Sequence, residues 1–194
     1  AVTLTAAGLD PSFAIGGTIA PPATTPGAPT RPELGAAPVT VTPGVSAHHG
    51  GGDVFVAEAD ESDGSFLNYA PYMAVVTNVE PDHLDHYGSR DAFEAAFVAF
   101  ADRVTRDGWL VACADDPGAR ALAASARDAG RRVRTYGTSD DADVRVTRWR
   151  PTETGGGFEL VDADGTVQVR LNAPGLHNAL NAAAAWTTAR LLGV

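Results

Sequence analysis

Two short apolar runs between residues 53 and 87, each followed at once by polar and ionisable residues, constrain the fold most strongly. The first run is Val54–Ala57, followed by the letters EADESD, and the second is Met73–Val76, followed after one threonine by NVEPDHLDH. Continuous apolar runs of this length are typical of strands buried on both faces of a parallel sheet. Because ligands collect beyond the carboxyl ends of such strands, the pattern predicts Glu58 and His83 side by side at the mouth of one crevice.

The chain that follows alternates helical and strand patterns. Residues 64–70 are expected to form a short helix, and Ser89 is expected to cap a helix with one apolar face, made of Phe93, Phe97, Phe100 and Val104. A buried strand over Trp109–Ala114, a helix over 118–129 ended by Gly130, and a strand over Val133–Gly137 come next. This order predicts a layered α/β domain.

The pattern changes after Ser139, where apolar and polar residues alternate as in half-exposed strands. We expect residues 140–173 to form a small antiparallel subsheet, followed by a helix over 176–192. The predicted fold is therefore α/β, a three-layer, mostly parallel sheet with a small appended antiparallel sheet. Residues 20–47 are rich in proline, threonine and alanine, and this composition predicts a flexible surface insertion.

Charge and composition exclude several classes of protein. The net charge is −10, with 24 acidic and 14 basic residues, which argues against a nucleic-acid partner. Every basic residue is an arginine, so no Schiff-base or phosphate-loop lysine exists in these residues. The single cysteine, Cys113, excludes an intramolecular disulfide and fits a small buried apolar residue. No apolar stretch reaches the ~18 residues of a membrane span, and no signal peptide is expected.

Glu58 and His83 are the sharpest candidates for chemistry. A strand-end carboxylate with an imidazole can supply part of the coordination of a divalent cation and leave positions for water and phosphate oxygens. The spacing fits equally well a surface acid and a hydrogen-bonded histidine. The acidic residues Asp60, Glu61 and Asp63 could orient a substrate amine or a second cation, although an acidic loop is more often simply solvated.

His177, Asn178 and Asn181 open the last predicted helix, and the two asparagines, three residues apart, share one face. An asparagine amide can bond in bidentate fashion to the N6/N7 edge of adenine. Asparagine also favours helix starts, and spacing alone favours this capping role.

Three blocks, AEADESDGSF, VVTNVEPDHLDHYGS and LNAPGLHNALNAAAA, together resemble the central, ATP-binding domain of the Mur ligases. Two further segments, GLDPSF and CADDP, fit the same family. The resemblance implies that residues 1–194 form a Mur ligase central domain of phosphate-loop type, incomplete at its amino end.

The resemblance also implies an activity, namely an ATP-dependent amide bond between UDP-N-acetylmuramate and L-alanine, formed through an acyl phosphate during cytoplasmic peptidoglycan precursor synthesis. Its small-molecule partners would be these two substrates and ATP, with no nucleic acid and no membrane. By position, Glu58 and His83 correspond to ligands of Mg²⁺ in the family and are also the catalytic candidates. His177, Asn178 and Asn181 correspond to the adenine-binding group, which reverses the preference for capping. Candidate substrate-binding residues are Asn78, Glu61 and His86.

Four departures from the family pattern are visible. The G-x-x-x-x-G-K-[ST] phosphate loop does not occur in these 194 residues, nor do the flanking domains, so we expect this chain alone to be inactive. Leu176 stands where a basic residue is usual, and the 20–47 segment is longer than usual.

Two alternatives remain open. A related ligase could attach a ready-made peptide to the same sugar nucleotide, although its acidic block usually carries an aromatic residue where Ser62 stands. The chain could also be a non-catalytic remnant or interaction module.

Overall fold

The computed structural model describes residues 1–19, 44–82 and 84–194. The chain divides into two compact units, the first comprising Ala1–Ala59 with Gly193–Val194 and the second comprising Asp60–Leu192. Most of the proline-rich segment, residues 20–43, and the candidate metal ligand His83 lie outside the described residues.

The first unit contains one short helix and a three-stranded sheet. Helix α1 (Val2–Ala6) is followed by strands β1 (Ser12–Ala14), β2 (Ala47–His48) and β3 (Phe55–Ala57). Strand β1 is central, pairing antiparallel with β2 and parallel with β3. The side chain of Phe13 is buried in this unit.

The second unit is built on a six-stranded sheet. A 3₁₀ turn (Ser65–Asn68) precedes β4 (Met73–Val76), and α2 (Leu84–Tyr87) and α3 (Arg90–Asp102) lead to β5 (Trp109–Cys113). Helix α4 (Pro117–Asp128) leads to β6 (Val133–Gly137), and three further strands are β7 (Val144–Thr152), β8 (Gly155–Asp162) and β9 (Gly165–Leu171). Helix α5 (Leu176–Leu191) follows. The strands lie in chain order from β4 to β9.

The predicted fold class is confirmed in this sheet. Strands β4 to β7 run parallel, and β7, β8 and β9 pair antiparallel, so the small antiparallel part is continuous with the parallel part through β7. Helix α4 covers β5 and β6, whereas α5 packs against β4 to β7. Because parallel crossovers share one hand, α3 and α4 lie on one face of the sheet and α5 covers the other, which gives three layers.

The core of the second unit follows from the apolar faces that the sequence predicts. Ser89 caps α3, where its hydroxyl accepts a hydrogen bond from the Ala92 N–H at 3.1 Å. The rings of Phe97 and Phe100 lie 5.3 and 5.0 Å from the ring of Phe66 in the 3₁₀ turn. A fully buried side chain of this size contributes about 1.5–3 kcal/mol, so this aromatic cluster fixes α3 and the 3₁₀ turn together beside the sheet.

One prediction about the sheet is wrong. We expected Val54–Ala57 and Met73–Val76 to be neighbouring strands buried on both faces, but β3 and β4 belong to different sheets. Strand β3 has only three residues, takes its pairing from β1, and leaves 62% of Phe55 exposed. Strand β4 buries Ala74 and Val76 on one face, while Val75 is exposed. An apolar run predicts a strand, but it does not specify the partner of that strand.

Candidate functional site

Glu58 directly follows β3 and is held by the loop after β1. Its backbone N–H donates to the Ala14 carbonyl at 3.0 Å, and its Oε2 accepts the Gly16 N–H at 2.7 Å. A Cβ on Gly16 would lie 3.3 Å from Oε1, so a glycine here lets the carboxylate approach the loop closely. Among the described residues, Oε1 has no hydrogen-bond partner. The structure thus presents an exposed carboxylate oxygen at the end of a strand.

The loop of the EADESD block that follows Glu58 is shaped by its own carboxylates. Asp60 Oδ1 accepts the Ser62 N–H at 2.9 Å, and Asp63 Oδ1 accepts the Ser65 N–H at 2.8 Å. Hydrogen bonds from Ser65 hold the pKa of Asp63 below its ordinary value, and the nearby His86 adds to this effect. These two aspartates therefore have a structural role in forming the turns of the loop.

Tyr87 joins this acidic loop to the end of the DHLDHY block. Its hydroxyl donates to the backbone carbonyl of Glu61, and its ring lies edge-on to the rings of His86 and Phe93, with centroids 4.8 and 5.1 Å apart. Gly64 has a φ of +73°, and a Cβ there would lie 3.4 Å from His86 Nε2. Burial and the neighbouring carboxylates, Glu61 first among them, raise the pKa of Tyr87. Two of the predicted substrate residues, Glu61 and His86, therefore lie on segments that Tyr87 connects.

Asn78, the third predicted substrate residue, lies two residues beyond the end of β4. Its side-chain carbonyl accepts the Thr77 hydroxyl at 2.9 Å, and the residue is exposed. The next residue, Val79, is buried, and its N–H donates to Asp116 Oδ1 at 2.9 Å. The backbone that presents Asn78 is therefore anchored from the β5–α4 junction.

The first turns of α5 carry the three predicted adenine-binding residues. The N-cap is Gly175, which makes no side-chain capping bond, so neither asparagine caps the helix in the usual sense. Asn178 reaches back to donate its Nδ2–H to the Pro174 carbonyl at 2.7 Å. Asn181 lies one turn further along, exposed, and its amide has no partner among the described residues. His177 is exposed beside Gly175, where a Cβ would lie 2.5 Å from its ring.

Predicted site residues thus occur in both units. Glu58 is in the first, whereas Asn78, Glu61, His86 and the residues of α5 are in the second. Within the ranges 1–19, 44–82 and 84–194, no three His, Cys, Asp or Glu side chains form a group that could hold a metal ion. In the same ranges, no helix has both the length and the apolar character needed to cross a membrane.

Two supporting residues, Tyr87 and Asp116, are not among the site residues that the sequence predicts. Each acts on the backbone of a predicted site segment from another part of the chain. Asp116 before Pro117 is a recognisable helix-start signal, but no feature of the sequence shows its second bond to Val79. Cys113 is buried, as expected, and burial raises the pKa of its thiol.

The comparisons with known proteins confirm the resemblance. The family model described as the Mur ligase middle domain matches residues 40–189. The chain is 53% identical over 195 residues to the UDP-N-acetylmuramate–L-alanine ligase of Kineococcus radiotolerans. That alignment covers 100% of this chain and 36% of the relative, so the chain spans little more than a third of that protein's length.

Solved structures show the same fold. The UDP-N-acetylmuramate:L-alanyl-gamma-D-glutamyl-meso-diaminopimelate ligase from Neisseria meningitides superposes with a TM-score of 0.71 at 25% identity, covering 98% of this chain and 56% of that one. The MurF ligase from Thermotoga maritima, solved in complex with ADP, gives a TM-score of 0.61 at 23% identity, covering 74% and 34%. Since the family model matches well over half of its residues, this chain belongs to the Mur ligase middle domain family.

Proposed function

We propose that residues 1–194 serve as the middle domain of an ATP-dependent ligase that joins L-alanine to UDP-N-acetylmuramate. The observation that carries the proposal is the 53% identity, over every residue of the chain, to a protein with that activity in its name. In the proposed reaction, the muramyl carboxylate attacks the γ-phosphorus of ATP, the bond to the β–γ bridging oxygen breaks, and ADP leaves. The amine of L-alanine then attacks the acyl phosphate and releases inorganic phosphate. We place this reaction in the cytoplasm, because it consumes ATP and acts on a nucleotide sugar.

Glu58 and His83 would hold Mg²⁺ in this proposal. The fit rests on Glu58, because an exposed carboxylate oxygen is the kind of ligand that Mg²⁺ prefers and the Gly16 N–H fixes its orientation. When bound, the ion would neutralise charge on the transferred phosphoryl group. His83 is included as the second ligand because of its position in the DHLD block, which resembles the family's. The hydrogen bond from the Gly16 N–H also holds the negative charge of Glu58 in place at the end of β3.

The residues of α5 would bind the adenine of ATP. Asn181 supports this role, because its exposed amide has a free donor and a free acceptor among the described residues, as a bidentate contact to the N6/N7 edge requires. Asn178 keeps its carbonyl oxygen available while its Nδ2 bonds Pro174, and His177 is exposed beside it. The ADP complex of the Thermotoga maritima relative agrees with a nucleotide site in this fold.

Asn78, Glu61 and His86 would contact the sugar nucleotide or the amine substrate. Two of them, Glu61 and His86, lie on segments that Tyr87 connects. A carboxylate can orient an amine, and an imidazole can accept its proton during attack.

The proposal is tested by phosphate release from a full-length protein that contains this chain. We expect release that requires both UDP-N-acetylmuramate and L-alanine, with a product whose mass equals that of the joined substrates minus water. Phosphate release independent of L-alanine, with no such product, would refute the proposed ligase activity.

A second candidate is the related reaction in which a peptide replaces L-alanine. It is favoured by the structural match to the Neisseria meningitides ligase, which covers 98% of this chain, but at only 25% identity. The same assay separates the two candidates when the tripeptide named in that ligase is supplied in place of L-alanine. A higher kcat/KM for the tripeptide would select the second candidate.

The catalytic pair is tested by His83→Ala and Glu58→Gln in the full-length protein, both expected to abolish ligation with the fold intact. Losing charge stabilisation of this kind typically costs several kcal/mol in the transition state. Glu153→Gln, a carboxylate change at the exposed turn between β7 and β8, is the matched control. Turnover of His83→Ala close to that of the control at saturating Mg²⁺ would remove this residue from the proposed site.

A further inference from the structure

We propose that the N-cap residue of α4, Asp116, and Gly118 in its first turn form a clamp that positions the loop following β4. This inference deepens the proposed function, because that loop carries Asn78 and leads to His83. Neither clamp residue touches the substrates in this account. Both act through the backbone of Val79 and are therefore positioning residues.

Asp116 holds the loop through a single oxygen atom. Its Oδ1 accepts the Val79 N–H at 2.9 Å and the Ala119 N–H at 2.7 Å. The second bond is the ordinary N-cap of α4. The first is additional and joins residues 37 positions apart in the chain. One oxygen atom of Asp116 therefore both caps α4 and anchors the loop after β4.

Gly118 closely approaches the carbonyl end of the same residue, Val79. A Cβ at this position would lie 2.2 Å from the Val79 carbonyl oxygen and 2.8 Å from the Val79 Cβ. Gly118 lies within α4 and does not have a left-handed backbone. A glycine is therefore needed here because Val79 lies too close for a side chain, and not because of the backbone conformation. Val79 itself is only 5% exposed and belongs to the core. Asp116, Gly118 and the core thus fix this residue from three directions.

Asp115, which precedes Asp116, holds a second loop at the same edge of the sheet. Its carboxylate accepts the backbone N–H groups of Thr138 and Ser139, in the loop after β6. The adjacent aspartates at the end of β5 therefore hold the loops after both neighbouring strands, β4 through Asp116 and β6 through Asp115. A displacement of about 1 Å at a catalytic group can cost on the order of 100-fold in rate, so the clamp should affect catalysis as well as stability.

The experiment compares Asp116→Ala, Asp116→Asn and Ser89→Ala in a full-length protein that contains this chain. Ser89→Ala removes the N-cap of α3, a bond of the same type that does not reach the β4 loop. We expect Asp116→Ala to lower kcat at saturating substrates roughly tenfold or more and to speed amide exchange in the peptide covering residues 77–82. Ser89→Ala loses only one bond, at an exposed position, so it should lower Tm by a smaller amount and leave both readouts unchanged. Asp116→Asn, whose Oδ1 can still accept both bonds, should restore kcat.

Gly118→Ala is a second variant that retains the helix cap but forces Val79 to move. It should also lower kcat, whereas Gly157→Ala, which meets only the Val169 carbonyl oxygen at 3.8 Å, should not. Should Asp116→Ala fail to fold, the comparison of Gly118→Ala with Gly157→Ala decides the question. Unchanged kcat and unchanged exchange in Gly118→Ala would overturn the clamp. An inactive wild-type protein refutes the proposed ligase activity instead, and the exchange readout still tests the clamp.

Discussion

Asn181→Ala separates a nucleotide-binding role from a structural one on α5. The side chain is exposed, lies inside the helix beyond its first turn, and makes no hydrogen bond within the described residues. Its removal therefore breaks no hydrogen bond among the described residues. Alanine has the higher helix propensity, by roughly 0.5 kcal/mol, so the stability of the ligand-free protein should stay the same or rise slightly.

The loss in ATP binding should be much larger than this gain. One bidentate contact between an amide and a base edge contributes roughly 1–3 kcal/mol, and 1.4 kcal/mol corresponds to tenfold in affinity. ATP should therefore bind roughly 5- to 150-fold more weakly to Asn181→Ala. The preference for ATP over GTP should relax as well, because guanine presents an acceptor where adenine presents its N6 donor.

The assay is calorimetric titration of ATP and GTP into the full-length protein, with thermal unfolding measured without nucleotide. Asn178→Ala is the comparison, because it removes the hydrogen bond to the Pro174 carbonyl. Its expected cost to stability is roughly 0.5–1.5 kcal/mol, the worth of one hydrogen bond. An unchanged ATP/GTP ratio for Asn181→Ala, together with a lowered Tm, would show that Asn181 is structural and refute the reasoning.

Three further predictions concern the chain itself. Gly156→Ala should lower the free energy of unfolding by about 1–3 kcal/mol in urea denaturation, because its Cβ would lie 2.3 Å from an indole ring. Gly157→Ala, with its nearest contact at 3.8 Å, should cost nothing, and equal losses in the two variants would contradict the packing argument. Tyr87→Phe should speed amide exchange in the acidic loop by removing a donor to its backbone, whereas Tyr72→Phe, at an exposed ring, should not. Cys113, 5% exposed with its thiol pKa raised by burial, should resist alkylation at pH 8 until the protein unfolds, and rapid labelling of the native chain would contradict this.

The elements of the second unit could be predicted from sequence because each is specified locally. The strand Val133–Gly137 is found with the predicted bounds, and Ser89 caps α3 as its position before an apolar face indicates. The strands Val144–Thr152 and Gly155–Asp162 lie within residues 140–173, where the alternating pattern predicts the antiparallel subsheet. These features depend on neighbours within a few residues.

Features that depend on distant partners could not be predicted. The sequence of Val54–Ala57 carries no sign that β1, and not β4, supplies its pairing. Helix α2 has four residues, too few for a helical period to be visible. At α5, asparagine favours capping, yet the N-cap is Gly175. Asn178 is half-buried and bonds the Pro174 carbonyl, whereas Asn181 is exposed, and the sequence does not distinguish them.

The acyl phosphate is tested most directly by labelling both carboxylate oxygens of UDP-N-acetylmuramate and following the label during turnover by the full-length protein. If ATP phosphorylates that carboxylate and L-alanine then attacks the acyl phosphate, each phosphate released carries one labelled oxygen atom. We expect label in phosphate only when ATP, Mg²⁺ and L-alanine are all present, and none with Glu58→Gln. Unlabelled phosphate released by the wild-type protein during L-alanine ligation would mean that ATP is cleaved without forming the acyl phosphate, and would refute the proposed intermediate.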